Sequence, residues 1–246
     1  MSRINVLGVE IDNLTKEQAL ERALGLIAEH RGAYMVTPNP EIVMAAWDSD
    51  EVSAAIKNAD LVIPDGIGVI KAANILGTPF VEHLPGIDFA TELLGLLAKK
   101  GKSVFLFGAK PGIAETAAEN MRGKFPGLII SGTNDGYTDD VEAVIAKINE
   151  AKPDFLLVCL GVPKQELWMA RNADKLDVGL MAGLGGTLDV FAGETRRAPE
   201  SWQKLHLEWL YRCLEDPRRF KKIKRLPLFI IKAWRERARK SNDEKR

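Results

Sequence analysis

The 246-residue chain has two cysteines, Cys159 in an apolar run and Cys213 far from it. That number offers neither a disulfide framework nor metal-ligand spacing, so both are expected as reduced core or interface thiols. Histidine is almost as scarce, at 30, 83 and 206. The three are scattered and are not expected to form a ligand set, so neither a catalytic metal nor a cofactor is expected. No stretch approaches the roughly 20 apolar residues of a spanning helix. The opening "MSRINVLGVEID" is also too polar for a signal peptide. The expectation is a cytoplasmic protein, or one peripheral on the inner face of the membrane.

Net charge is absent too, at zero overall, but the average conceals an asymmetry. Residues 212–246 hold 14 Lys/Arg against 5 Asp/Glu, leaving 20 basic and 29 acidic groups in the remainder. Such a division suggests that the tail meets something anionic. Because the body is acidic and the tail's aromatics cluster with aliphatics, nucleic acid is not the expected partner.

Several chemistries lack their signatures. "GIGVIK" has Gly66 and Gly68 but Lys71 where a dinucleotide fingerprint needs its third glycine, and "GLGGTL" fails at Leu188. Lys164 in "GVPKQE" has no long glycine loop before it, and no serine occupies a nucleophile elbow. "DSD" at 48–50 has the letters of a metal-binding pair, but its flanks make it a helix–helix junction with Ser49 or Asp50 as N-cap.

What the chain does have is alternation. Apolar runs at 4–8, 33–37, 60–64, 103–108, 127–131, 154–161 and 177–183 read as strands, with helical patterns between them. In "TKEQALERALGLIAEH" Thr15 can cap and Gln18 can close a capping box, while "PGIAETAAENMRGKF" opens with Pro111. Strands apolar on both faces and alternating with helices predict an α/β, Rossmann-like, mainly parallel sheet covered on both sides. Two parts are expected: a core over 1–195 and a basic helical appendage over 196–246.

Ligands of such sheets bind beyond the carboxyl ends of the strands. There the chain reads "TPNPE", "DGIG", "AKPG", "GTNDGY", "VPKQE" and "LGGTLD". Small residues beside polar ones recur at each end, and the six loops are expected to form one extended site. Asp65, at the mouth of an apolar strand, has three readings: cap of a helix over 66–77, ribose-binding group, or catalytic base.

"TPNPEIV", "DLVIPDGIGV", "LFGAKP", "NDGY", "LGVPKQELWM", "GLGGTLDVFAGETRRAPE" and "LEWLYRCLEDPRR" occur in order. With that spacing, the chain resembles the WecG/TagA/CpsF glycosyltransferases, glycosyltransferase family 26, over roughly residues 4–225. The resemblance implies an inverting, metal-independent transferase that moves a sugar from a UDP donor to an undecaprenyl-diphosphate-linked acceptor. In one branch the donor is UDP-N-acetylmannosamine and the acceptor GlcNAc-diphosphoundecaprenol, for the linkage unit of wall teichoic acid. It makes Asp65 the general base, with Thr37, Asn39 and Gln165 in the same pocket. His83 stands where the family commonly has arginine, which a histidine does not replace as a bidentate phosphate ligand.

Backbone around Gly66, Gly108, Ala109, Gly112, Gly136, Gly161, Gly185 and Gly186, together with Lys164, is expected to hold the UDP-sugar. Asp135, Tyr137 and Asp189 are expected at uridine and ribose. The core is short of arginines near these loops, so Arg212, Arg218, Arg219 and Lys222 are expected to join His83 at the acceptor's diphosphate. The remaining basic residues, beside "LPLFII" and Trp234, suit an anionic membrane surface. That apolar run can also hide in a homo-oligomer. Open alternatives are another UDP-sugar donor (N-acetylmannosamine uronic acid, glucose or galactose), a nucleotide-sugar oxidoreductase or epimerase, and a non-catalytic UDP-sugar-binding membrane adaptor.

Overall fold

The computed structural model describes residues 2–215, 220 and 224–243. Its centre is a six-stranded sheet in the order β4-β3-β8-β7-β5-β6. Those strands are β3 (Ala33–Val36), β4 (Leu61–Val62), β5 (Ser103–Gly108), β6 (Ile129–Asn134), β7 (Phe155–Cys159) and β8 (Leu180–Gly183). Every pairing within the sheet is parallel. Parallel strands need crossover connections, and helices supply them.

Alternation along each strand assigns the two faces. In β5, Val104 and Leu106 enter one apolar cluster, with α1 (Lys16–Glu29), α5 (Gly86–Lys99), α6 (Ile113–Lys124) and α9 (Thr187–Ala192). Phe105 and Phe107 enter the other, with α2 (Pro40–Asp48), α3 (Asp50–Lys57), α4 (Ile67–Leu76), α7 (Val141–Ala151) and α8 (Lys164–Asn172). Buried Phe105 and Phe155, both fully enclosed, lie on opposite sides of the sheet.

The expected strand at 4–8 proves to be half of an antiparallel hairpin, β1 (Arg3–Val6) with β2 (Val9–Asp12), outside the parallel sheet. Buried Asp12 joins it to the sheet edge, accepting from Val62 N at 2.8 Å and from Arg3 Nε at 2.9 Å. The strand expected at 127–131 begins later, at Ile129, and runs to Asn134. Local signals hold better at helix starts. Thr15 and Gln18 form the capping box of α1. Ser49 caps α3, so "DSD" is a junction between α2 and α3. Pro111 lies ahead of α6, whose cap is Gly112 at φ 85°.

Two short helices, α10 (Glu200–Lys204) and α11 (Glu208–Glu215), lead toward α12 (Leu226–Asp243). α12 lies on the second cluster, where Phe229 is fully buried and stacks on Trp47 at 5.8 Å. Lys232 Nζ sits 3.7 Å from the centre of the Trp47 ring, and Arg225 forks onto Asp48 at 2.5 and 3.2 Å. The opposite side of α12 leaves Leu228, Ile231 and Trp234 exposed. Among the described residues, no helix is long and apolar enough to cross a membrane.

Candidate active site

The carboxyl ends of β3, β4 and β8 open into a cavity of about 540 Å³. Thr37 and Asn39 follow β3, Asp65 and Gly66 follow β4, and Gly185 and Gly186 follow β8; all line it, as do Gln165 and His83. Glycines report how closely these groups stand. A Cβ added to Gly86 would lie 3.7 Å from Thr37 Oγ1 and 3.8 Å from the Asp65 carboxyl carbon. One added to Gly66, at φ 76°, would lie 3.2 Å from Asn39 Cβ. Thr37 and Asn39 from the end of β3 and Asp65 from the end of β4 therefore meet around two glycines.

Asp65 does not cap the helix that follows it: α4 has Gly66 as N-cap and no side-chain cap bond. Its Oδ1 instead accepts from Gly86 N at 3.0 Å, the first residue of α5. Helix starts attract carboxylates because their first amides lack intrahelical partners. That bond orients Asp65 from a helix more than 20 residues away in sequence, and of its three readings the cap of the following helix falls away. Thr37 Oγ1 donates to Gly183 O at 3.2 Å, and Asn39 caps α2 through Ile42 N at 3.0 Å.

His83 and His206, expected to be scattered, face each other with ring centres 5.9 Å apart. Burial, then the His206 charge, holds His83 below the ordinary imidazole range, and its Nε2 is buried without a hydrogen-bond partner. Among the described residues no group of three or more His, Cys, Asp or Glu could hold a metal ion.

The remaining predicted residues divide. Gly136, Tyr137 and Lys164 line a second cavity, of about 720 Å³, beyond β6 and β7. Two cavities thus lie along the rim, and consecutive residues of α8, Lys164 and Gln165, line different ones. Gly108, Ala109, Gly112, Asp135, Gly161 and Asp189 line neither. Gly108 is bound by its surroundings: a Cβ there would meet the Cys159 backbone oxygen at 2.3 Å. Ala109 N donates to Cys159 O and Gly136 N donates to Ala109 O, stitching the ends of β5, β6 and β7 together. Asp135 turns its own loop, accepting from Tyr137 N at 2.8 Å.

Of the tail cations, Arg212 falls within α11, while Arg218, Arg219 and Lys222 lie outside the described residues. Among the described residues, the arginine lining the first cavity is Arg197, which is not among the residues expected there. It pairs with Asp88 at 2.5 Å and Glu208 at 3.7 Å, and its Nε is buried without a partner. "RRAPE" was the available signal, a double arginine just before a proline-led helix, but nothing local pointed it inward. Trp209, Cys213, Leu226 and Ile230 extend the wall on the same side, from α11 and α12.

A parallel α/β sheet thus gathers a carboxylate, a hydroxyl and two carboxamides at one strand-end cavity. The model of the Glycosyl transferase WecG/TagA/CpsF family matches residues 4–243. The chain belongs to that family. A Bacillus spizizenii relative, N-acetylglucosaminyldiphosphoundecaprenol N-acetyl-beta-D-mannosaminyltransferase, is 36% identical over 202 residues, 82% of this chain and 79% of its own. A Staphylococcus aureus protein of the same name is 35% identical over 234 residues, 94% of this chain and 92% of its own.

Proposed function

We propose that this chain transfers N-acetylmannosamine from UDP-N-acetylmannosamine to the 4-hydroxyl of GlcNAc-diphosphoundecaprenol, with inversion and without metal. One observation carries the mechanism: the Asp65 carboxylate, oriented by Gly86 N, shares a cavity wall with Thr37, Asn39 and Gln165. The acceptor and the transferred sugar come from the name that both relatives bear, and the UDP of the donor from the family resemblance.

In this reading Asp65 takes the proton of the acceptor hydroxyl as its oxygen attacks the anomeric carbon from the side opposite UDP. The departing diphosphate is met by backbone amides and cations. Gly66 heads α4 without a side-chain cap, and Gly185 and Gly186 precede α9 on the same wall. Among the described residues, Lys71, His83, Arg197 and His206 are the basic side chains lining it. Because Asp88 and Glu208 balance Arg197, the cavity favours a neutral donor sugar over a uronic acid.

Residues 196–246 are the appendage, which docks to an anionic membrane surface and closes over the site. Exposed Leu228, Ile231 and Trp234 beside basic residues support docking. Liposome flotation of the intact chain and of one ending at Leu210 tests this: the intact chain floats with anionic vesicles and the short one does not. Sugar transfer with and without a chelator tests the reaction. Product is expected in both conditions, and its absence with every UDP-sugar would reject the assignment.

A further inference from the structure

Gln165 and Glu166 open α8, and both are enclosed, at 2% and 0% exposure. Gln165 Nε2 donates to Glu166 Oε1 at 2.8 Å. Two oxygens of the pair, Gln165 Oε1 and Glu166 Oε2, are buried with no hydrogen-bond partner. A buried acceptor without a donor is destabilising. Burial pushes the Glu166 carboxyl up to about 7, with the Glu41 charge adding to the shift and the bond from Gln165 opposing it. An apolar residue would serve packing better at 166, so the carboxyl needs another reason to be there.

The neighbouring glycines supply one. A Cβ on Gly183 would stand 3.1 Å from Gln165 Nε2, and one on Gly185 would stand 3.0 Å from Gln165 Oε1, beside Gly161. The amide nitrogen is turned toward Glu166, and the carbonyl lies under the space that Gly185, a residue of the cavity wall, leaves vacant. The two ends of a carboxamide are nearly equal in size but opposite in hydrogen-bonding sense. Without an acceptor at 166 nothing selects between them.

We propose that Glu166 is a positioning residue: it holds the Gln165 carboxamide with its nitrogen inward, so that Oε1 accepts an O–H or N–H of the transferred sugar. This rests on the function proposed above and deepens it. A diphosphate has no hydrogen to offer, so the contact does not read the phosphates; it is assigned to the transferred sugar rather than to the ribose or uracil of UDP.

Calorimetric titration of UDP and UDP-N-acetylmannosamine into wild type, Glu166→Met and Glu166→Gln separates the possibilities. Wild type is expected to gain affinity from the sugar. Glu166→Met loses about tenfold of that gain, the worth of one hydrogen bond, with UDP affinity and thermal midpoint kept. Glu166→Gln, whose carbonyl can still accept from Gln165 Nε2, keeps most of the gain. The proposal is overturned if Glu166→Met loses UDP and the sugar nucleotide equally, loses neither, or loses the sugar gain together with its thermal midpoint. Wild type that binds both ligands alike also overturns it. Transfer is assayed separately: a wild-type chain with the sugar-dependent gain but no product removes the proposed reaction and leaves this contact standing.

Discussion

The two cavities at the carboxyl edge are built on different principles. Beyond β3, β4 and β8 several polar groups are buried: Thr37 and Gln165 lie in the wall, Glu166 is bonded to Gln165, and His83 Nε2, Arg197 Nε, Gln165 Oε1 and Glu166 Oε2 lack partners. Beyond β6 and β7 the loop satisfies itself, with Asp135 bonded to Tyr137 N and Asp140 capping α7, and Tyr137 is 67% exposed. The first region holds its groups in place before any ligand arrives and sacrifices stability to do so. The second turns Asp135 and Asp140 onto their own backbone and presents an aromatic ring to solvent. Chemistry needs the former, because a base or acceptor must be fixed relative to a reacting atom. The contact with uridine that the sequence leads one to expect at Tyr137 needs only the latter.

Asp65→Asn makes the hardest test of the contrast. It keeps size and the bond to Gly86 N but removes the base, so transfer is expected to fall about 100- to 10,000-fold. Isothermal titration should still find UDP affinity within about twofold of wild type. Near-normal turnover would end the base assignment, and a non-catalytic adaptor would then fit better.

The stored cost can be read in stability. In the unfolded chain Glu166 titrates in the ordinary carboxylate range, and in the folded chain at about 7. Below both values the carboxyl is protonated in either state and contributes no difference. Between them the folded chain holds a proton that the unfolded chain has released, so stability falls as pH rises, and it stays low above. Denaturant titrations should find about 3 kcal/mol less stability gained from pH 8 to pH 4.5 in Glu166→Gln than in wild type. Equal slopes would mean that Glu166 is not buried as described.

Gly185→Ala places a methyl over Gln165 Oε1. Affinity for the sugar nucleotide is expected to drop about tenfold, with UDP unaffected. An equal loss of both would move the contact away from the sugar. In the open region Tyr137→Ala should do the reverse at smaller scale, weakening UDP about fivefold through lost ring contact while leaving stability unchanged. A large stability loss there would erase the distinction between the two regions.

Much of this was written locally. Val/Ile/Leu runs marked the strands, Thr15 and Gln18 marked the start of α1, and the polar residues after β3 and β4 marked the rim. Those signals work because side-chain period and cap chemistry act over a few residues. Asp65 was recognisable as important, but its partner was not: the adjacent helix was the obvious choice, and Gly86 was found only through the fold. Arg197 and the His83–His206 pair escaped for the same reason, since their partners are distant in sequence.

By itself, then, the sequence determined an α/β chain with its polar groups at strand ends and a basic tail, because composition and periodicity are properties of short segments. Only the tertiary structure decided that β1 and β2 pair off outside the sheet and that the rim divides at α8 between Lys164 and Gln165. It alone decided that Glu166, an ordinary glutamate in the first turn of a helix, is enclosed. Burial and partner choice depend on which faces meet across long chain separations, and no window of neighbouring residues contains that information.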